Sequence, residues 1–160
     1  LCRRHRECAE EPRSPEVAMG LMLDSSVLIA AERGRFDMEA FIEAEAPMEP
    51  VFLSVVTASE LLHGVHRATA EHRARRGAFV DGLLRETPTL PFDLPCARRH
   101  AALWAALEGV GGRIGAHDML IAATCLRYGH RLATLNEEEF GRVDGLSLAD
   151  ARSYAKARQP

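Results

Sequence analysis

The chain is short of aromatic residues, lysine, net positive charge, paired cysteines and long apolar runs, and each shortage excludes a class of function. Aromatic residues make up 6% of its 160 positions, too few for a base-stacking platform of the single-strand-binding kind. The formal net charge is −3, whereas proteins that grip nucleic acid by counterion release are usually strongly basic. The basic side chains are nearly all arginine, which suits forked contacts to phosphate or carboxylate better than diffuse attraction. Any nucleic-acid chemistry must therefore be local. The four cysteines form no C-x-x-C pair, so zinc and thioredoxin-like readings are weak. Cys2 and Cys8 lie in a polar leader, while Cys96 and Cys125 sit alone in apolar helical patterns and read as small core residues. Leu21–Ala31 is interrupted by Asp24, Ser25 and Ser26, and nothing approaches the ~18 apolar residues of a membrane span. The basic start Leu1–Arg6 is followed by no apolar h-region, so it is not a secretory signal. A cytoplasmic protein without membrane contact is expected.

What is present is a 47% hydrophobic chain, enough for one domain burying roughly 70% of its unfolded surface. Residues 1–18 are charged, hold Pro12 and Pro15 and show no apolar period; they read as a disordered extension, with Met19 or Met22 able to serve as a start. Residues 19–155 read as one domain. Short apolar runs at Gly20–Leu23, Val51–Leu53, Thr89–Phe92 and Arg131–Leu135 suggest strands, the third marginal because Pro91 forbids a central ladder position. Helical patterns cover Ser25–Arg33, Met38–Ala46, Ser54–Arg67, Ala70–Arg85, Leu94–Gly109 and Ala116–Tyr128, the last ended by Gly129, with a short turn at Asn136–Phe140. Ala97, Ala101, Trp104 and Leu107 form the expected core face of the fifth helix. Strands alternating with helices imply a three-layer α/β/α fold around a mostly parallel sheet. In such sheets the site lies at the carboxyl ends of the strands.

Four acidic residues interrupt apolar surroundings. Asp24 ends the first strand, Glu60 lies in the helix after the second, Asp118 opens an apolar helix, and Glu139 follows the last strand. Each has an ordinary structural explanation. Asp24 can cap a helix, and Thr57-Ala58-Ser59-Glu60 fits a capping box if the helix starts at Thr57. Asp118 can complement a helix dipole, and Glu139 belongs to a run, Glu137-Glu138-Glu139, of the kind that usually faces solvent. Together, however, they fall at matching topological points. Clustered carboxylates repel one another unless a cation sits among them. An all-oxygen donor set without His or Cys suits Mg²⁺ or Mn²⁺, and such ions typically act on phosphates.

The segments Leu23-Asp24-Ser25-Ser26-Val27-Leu28-Ile29, Ser54–Gly64 around Glu60, Ile114-Gly115-Ala116-His117-Asp118-Met119-Leu120-Ile121-Ala122-Ala123 and Leu132–Phe140 occur in order over most of the chain. In this, residues from about Met19 to Ser147 resemble the PIN-domain ribonucleases, and among them the VapC toxins of bacterial toxin–antitoxin pairs. The resemblance implies a PIN-like nuclease domain, an endoribonuclease dependent on Mg²⁺ or Mn²⁺. It matches Asp24 and Asp118 to metal-holding aspartates, Glu60 and Glu139 to the remaining acidic positions, and Ser26 to a small polar support of the first aspartate. Asn136 and Glu139 are alternatives for completing the cluster. It further implies an RNA substrate, transfer RNA ahead of ribosomal or messenger RNA, a VapB-like antitoxin and a homodimer. Arg113 stands where Pro is common before Ile-Gly, a departure of little consequence, and Leu135 where a basic residue is common before Asn, which removes a phosphate contact and implies altered RNA affinity or target choice. The leader has no counterpart in the family core.

Competing constellations are weaker. Glu60-x-x-His63 is half of a di-iron motif without its second half, and Gly109–Gly115 lacks the end of a P-loop. A haloacid-dehalogenase-like phosphatase needs an Asp where Ser26 stands. His63 and His66 read as flanking or solvent-facing, and Arg67, Arg73, Arg75 and Arg76 as RNA-backbone contacts or a solvated helix face. The alternative function is a catalytically silent RNA- or protein-binding module of the same fold, which would need no metal.

Overall fold

The computed structural model describes residues 19–109 and 114–156; the extension at 1–18, Cys2, Cys8 and Arg113 lie outside the described residues. Four strands, β1 (Leu21–Leu23), β2 (Val51–Ser54), β3 (Thr89–Leu90) and β4 (Arg131–Ala133), form a sheet in the order β3-β2-β1-β4. Every pairing is parallel. Seven α-helices connect and flank them: α1 (Ser25–Glu32), α2 (Met38–Glu45), α3 (Val55–Arg67), α4 (Ala70–Glu86), α5 (Leu94–Gly109), α6 (Ala116–Tyr128) and α7 (Glu137–Phe140). A 3-10 turn at Arg152–Tyr154 follows. Among the described residues no helix is long and apolar enough to cross a membrane.

The three layers follow from the two-residue period of a strand. In β1, Leu21 and Leu23 point into a core with Val27, Leu28, Phe41, Leu61 and Val80, on the side of α1 to α4. Met22 points the other way, against Leu103, Leu107, Ile121 and Phe140 of α5 to α7. Burial on both faces is why β1 is apolar at every position rather than alternating. Thr89–Leu90 is short and at the sheet edge, where Pro91 just beyond it costs no ladder bond. Cys96 and Cys125 are buried and free, as their patterns suggest.

Trp104 departs from expectation. It is 52% exposed, and the buried stripe of α5 is Cys96, Leu103 and Leu107. The helix is therefore rotated by about one residue from the Ala97–Ala101–Trp104 face. Small alanines left the apolar period ambiguous, and Trp104 is satisfied at the surface, where its indole N–H donates to Glu108 Oε1 at 2.9 Å.

The strand order reverses between β1 and β4, the crevice in which parallel α/β sheets place their sites. Leu23 is in register with both Leu53 and Ala133. The next residues, Asp24 and Thr134, therefore leave the sheet side by side at its carboxyl edge.

Candidate active site

Asp24 is 4% exposed and caps α1. Its N–H donates to Ala133 O at 2.9 Å, locking it to the end of β4. Its Oδ2 accepts from Ser26 Oγ at 2.6 Å and Thr134 Oγ1 at 2.8 Å, with a longer contact from Ser26 N at 3.4 Å. Burial pushes its carboxyl above the usual carboxylate range; the hydroxyls pull it back, and the Glu60 charge adds to the rise. Capping and a place in an acidic cluster are thus compatible roles for one residue.

Glu60 has no capping role. Helix α3 starts at Val55 with Ser54 as its N-cap, whose Oγ accepts from Thr57 N at 2.9 Å. Glu60 stands one and a half turns further in and meets His117 Nδ1 through Oε1 at 2.9 Å. His117 belongs to α6, so this contact ties the second acidic segment to the third. The sequence reading did not single out His117; its only signal was adjacency to Asp118.

Asp118 sits in the first turn of α6, half-buried. Its Oδ2 accepts from Asn136 Nδ2 at 3.0 Å. Burial first, then a hydrogen bond with Glu139 and the charges of Asp24, Glu139 and Glu60, push its carboxyl up to about 7. The three glutamates of the 137–139 run face three ways. Glu137 pairs with Arg152 and Glu138 with Arg142, whereas Glu139 turns to Asp118 and accepts from Gly115 N at 3.0 Å. That backbone bond holds Glu139 below the usual carboxylate range. Of the two, Asp118 is therefore the carboxyl that holds its proton more readily, while Glu139 favours its charged form. Asn136 and Glu139, alternatives in the sequence, both touch Asp118.

Thr134 is the other residue the sequence reading passed over. Besides donating to Asp24, its Oγ1 accepts from Asn136 N at 3.0 Å. It therefore links the Asp24 side of the cluster to the residue that aims Asp118. Its position one step beyond β4, level with Asp24, is a register fact that no single-segment motif carries. His63 and His66 are exposed. Two of the four arginines read as RNA contacts are occupied internally. Arg76 Nε bonds both oxygens of Glu32, at 3.1 and 3.2 Å, and Arg73 Nη2 donates to Ala68 O at 3.0 Å.

The donor set fits a hard divalent cation: Asp24, Glu60, Asp118 and Glu139 offer only oxygen. Among the described residues, no three His, Cys, Asp or Glu side chains are drawn close enough to enclose an ion as they stand. Like charges hold such groups apart.

The PIN domain model matches residues 21–146. Ribonuclease VapC1 of Rickettsia felis is 34% identical over 136 residues, covering 84% of this chain and 98% of the relative. The tRNA(fMet)-specific endonuclease VapC of Shigella flexneri is 27% identical, covering 81% and 96%. Among solved structures, VapBC2 from Rickettsia felis bound to a promoter DNA fragment superposes with a TM-score of 0.74 at 26% identity, covering 81% of this chain and 97% of that one. VapBC-5 from Mycobacterium tuberculosis gives 0.64 at 34% identity, covering 81% and 94%. With this fold, this coverage and four acidic segments meeting at one sheet edge, the chain belongs to the PIN-domain family, as a VapC-type toxin.

Proposed function

We propose that this protein is the toxin of a toxin–antitoxin pair, an endoribonuclease whose Asp24 and Asp118 hold Mg²⁺ or Mn²⁺, with Glu60 and Glu139 completing the cage or ordering waters. The observation carrying this reading is the convergence of four carboxylates from four separate chain segments at the switch point. A cluster of this kind lowers its energy most by taking up a divalent cation.

The ion, when bound, supplies Lewis-acid activation of water and neutralises charge on the scissile phosphate. The chain's own residues do the positioning. Ser26 and Thr134 fix Asp24 Oδ2 and leave its other oxygen free of these donors. Asn136 aims Asp118, His117 orients Glu60, and the Gly115 N–H steadies Glu139. Such pre-set geometry removes reorganisation cost from the reaction.

An antitoxin of VapB type is the natural partner, since solved relatives are toxin–antitoxin complexes. The tRNA(fMet)-specific names among relatives make transfer RNA the first substrate to test. Homodimerisation rests on family membership and is checked by light scattering. The residues outside 19–155 take no part in this reading.

The deciding experiment sequences RNA 5′ ends after brief expression of the wild type beside Asp118→Asn, and repeats cleavage in vitro with excess EDTA and with Mn²⁺ restored. Cleavage at defined sites by the wild type alone, lost in EDTA and recovered with Mn²⁺, supports the reading. Equal cleavage by both proteins, or activity undiminished in EDTA, sinks it. RNA binding without any cleavage would instead identify a silent binding module.

A further inference from the structure

A cavity of about 390 Å³ opens where the end of α1 meets the turn between α3 and α4. Four arginines line it, Arg33, Arg67, Arg75 and Arg76, against one carboxylate, Glu32. Arg76 is neutralised by Glu32 and also donates to Gly64 O at 3.4 Å, so this pair forms a fixed wall. The guanidinium groups of Arg33, Arg67 and Arg75 make no hydrogen bond or ion pair among the described residues. Three uncompensated guanidinium groups around one opening repel one another, and an anion among them relieves that repulsion. Guanidinium forks match a phosphate in geometry as well as charge.

The cavity's place relative to the acids says which anion. Arg33 lies nine residues beyond Asp24 across α1, and Arg67 seven beyond Glu60 along α3, so at about 1.5 Å per residue the opening is roughly 10–14 Å from the acidic cluster by two independent helices. A stacked strand rising about 3.4 Å per nucleotide crosses that gap in about three to four nucleotides. The geometry points to a second phosphate subsite: Arg33, Arg67 and Arg75 hold a backbone phosphate of the RNA strand about three to four nucleotides from the one presented to Asp24 and Asp118. This inference rests on the ribonuclease reading and deepens it. It also reconciles an acidic net charge with an RNA substrate, because binding charge is gathered into one opening. Arg73 plays no part in it, being bound to the carbonyls of His66 and Ala68 at the end of α3.

The test combines Arg33→Gln, Arg67→Gln and Arg75→Gln, none of which is in the acidic cluster. Cleavage kinetics are measured on two synthetic single-stranded RNAs carrying the same cleavage site. One is about 12 nucleotides long, enough to span both sites at about 3.4 Å each, and the other about three nucleotides. On the long RNA the triple variant should show KM raised at least tenfold with kcat unchanged. The slope of log KM against log salt should fall by about 0.7, the value for one single-strand phosphate contact. On the short RNA the two proteins should be equal. If the melting temperature of the triple variant drops, Arg67→Gln alone is read by the same criteria. A wild type that cleaves no RNA overturns the functional reading itself. A wild type that cleaves, beside a variant with unchanged KM and salt slope on the long RNA, overturns only the subsite. So does a variant that cleaves both RNAs normally but escapes the antitoxin, which would make the cavity a site for a protein carboxylate.

Discussion

Thr134 donates its hydroxyl to Asp24 Oδ2 at 2.8 Å while accepting from Asn136 N at 3.0 Å, so one hydroxyl serves both aspartates of the site. Asp24 is almost fully buried, and hydroxyl donors are what lower its charged form's cost. Thr134→Val keeps the shape and removes the donor. Its unfolding free energy in urea at neutral pH should fall by about 1–3 kcal/mol, the cost of stripping a partner from a buried polar group. Thr134→Ser should restore most of it. Indistinguishable urea midpoints for wild type and Thr134→Val would show that Ser26 alone suffices.

Asp118 is a case of function opposing stability. Its folded-state carboxyl is raised from the ordinary 3.8 to about 7. Between those values the folded protein binds more protons than the unfolded chain, so this group lowers stability as pH rises through that window and holds it low above 7. Asp118→Asn removes the charge, and its amide can accept from Asn136 and donate to Glu139. The metal-free variant should therefore melt on the order of a few degrees higher than wild type at pH 7.5, while losing cleavage. At pH 3, below the window, the difference should vanish. A variant that melts lower than wild type at pH 7.5 contradicts the repulsion described for the cluster.

The same proton governs the cation. Binding requires a deprotonated ligand, so below about 7 it displaces the proton that Asp118 holds. With a carboxyl at about 7, apparent Mn²⁺ affinity should rise about tenfold between pH 6 and pH 8. Calorimetry in buffers of different ionisation enthalpy should find close to one proton released per ion at pH 6 and almost none at pH 8. Pairing metal titration with Asp118→Asn, which should bind far more weakly, ties the pH dependence to this residue. A pH-independent affinity would place the ion elsewhere.

The fold was largely legible because its signals are local. β1, β2, β4, the cap at Asp24 and the Gly129 stop of α6 are each written in a few adjacent residues, and both buried cysteines follow from apolar patterns. Trp104 was misread because α5 is rich in alanine, which buries or exposes at little cost and leaves the helix phase to Leu103 and Leu107. All four acids were visible as charges in apolar settings or at element boundaries. What pairs with them was not. Thr134 and His117 act through contacts with Asp24 and Glu60, which lie 110 and 57 positions away, and no motif of adjacent residues encodes them. The same limit hid Arg33, whose place beside Arg67 and Arg75 depends on how α1 ends against the α3–α4 turn.

At the opposite end of the sheet, His130 gives the fold a pH dependence separate from the site. Gly20 N donates to its Nδ1 at 3.1 Å, so that nitrogen accepts and the ring is neutral, its proton on Nε2. Nε2 is buried without a partner, and the ring stacks on Phe52 at 4.6 Å and 3°. Burial lowers the ring's pKa from the ordinary 6.5. Protonating it would also set an N–H against the Gly20 N–H. The unfolded chain therefore takes up a proton near 6.5 that the folded one resists, and stability falls as pH drops through that value. His130→Gln keeps an acceptor for Gly20 and cannot titrate. The urea midpoint of the wild type should fall more than that of His130→Gln between pH 7.5 and 5.5, and the His130 ring resonance should titrate below 6.5 by NMR. Gly20→Ala provides a control for this corner: a Cβ there would lie 2.7 Å from both Pro50 O and the Phe52 ring. Its strain of about 1–3 kcal/mol should be the same at both pH values. If wild type and His130→Gln lose equal stability between pH 7.5 and 5.5, His130 is not the group responsible.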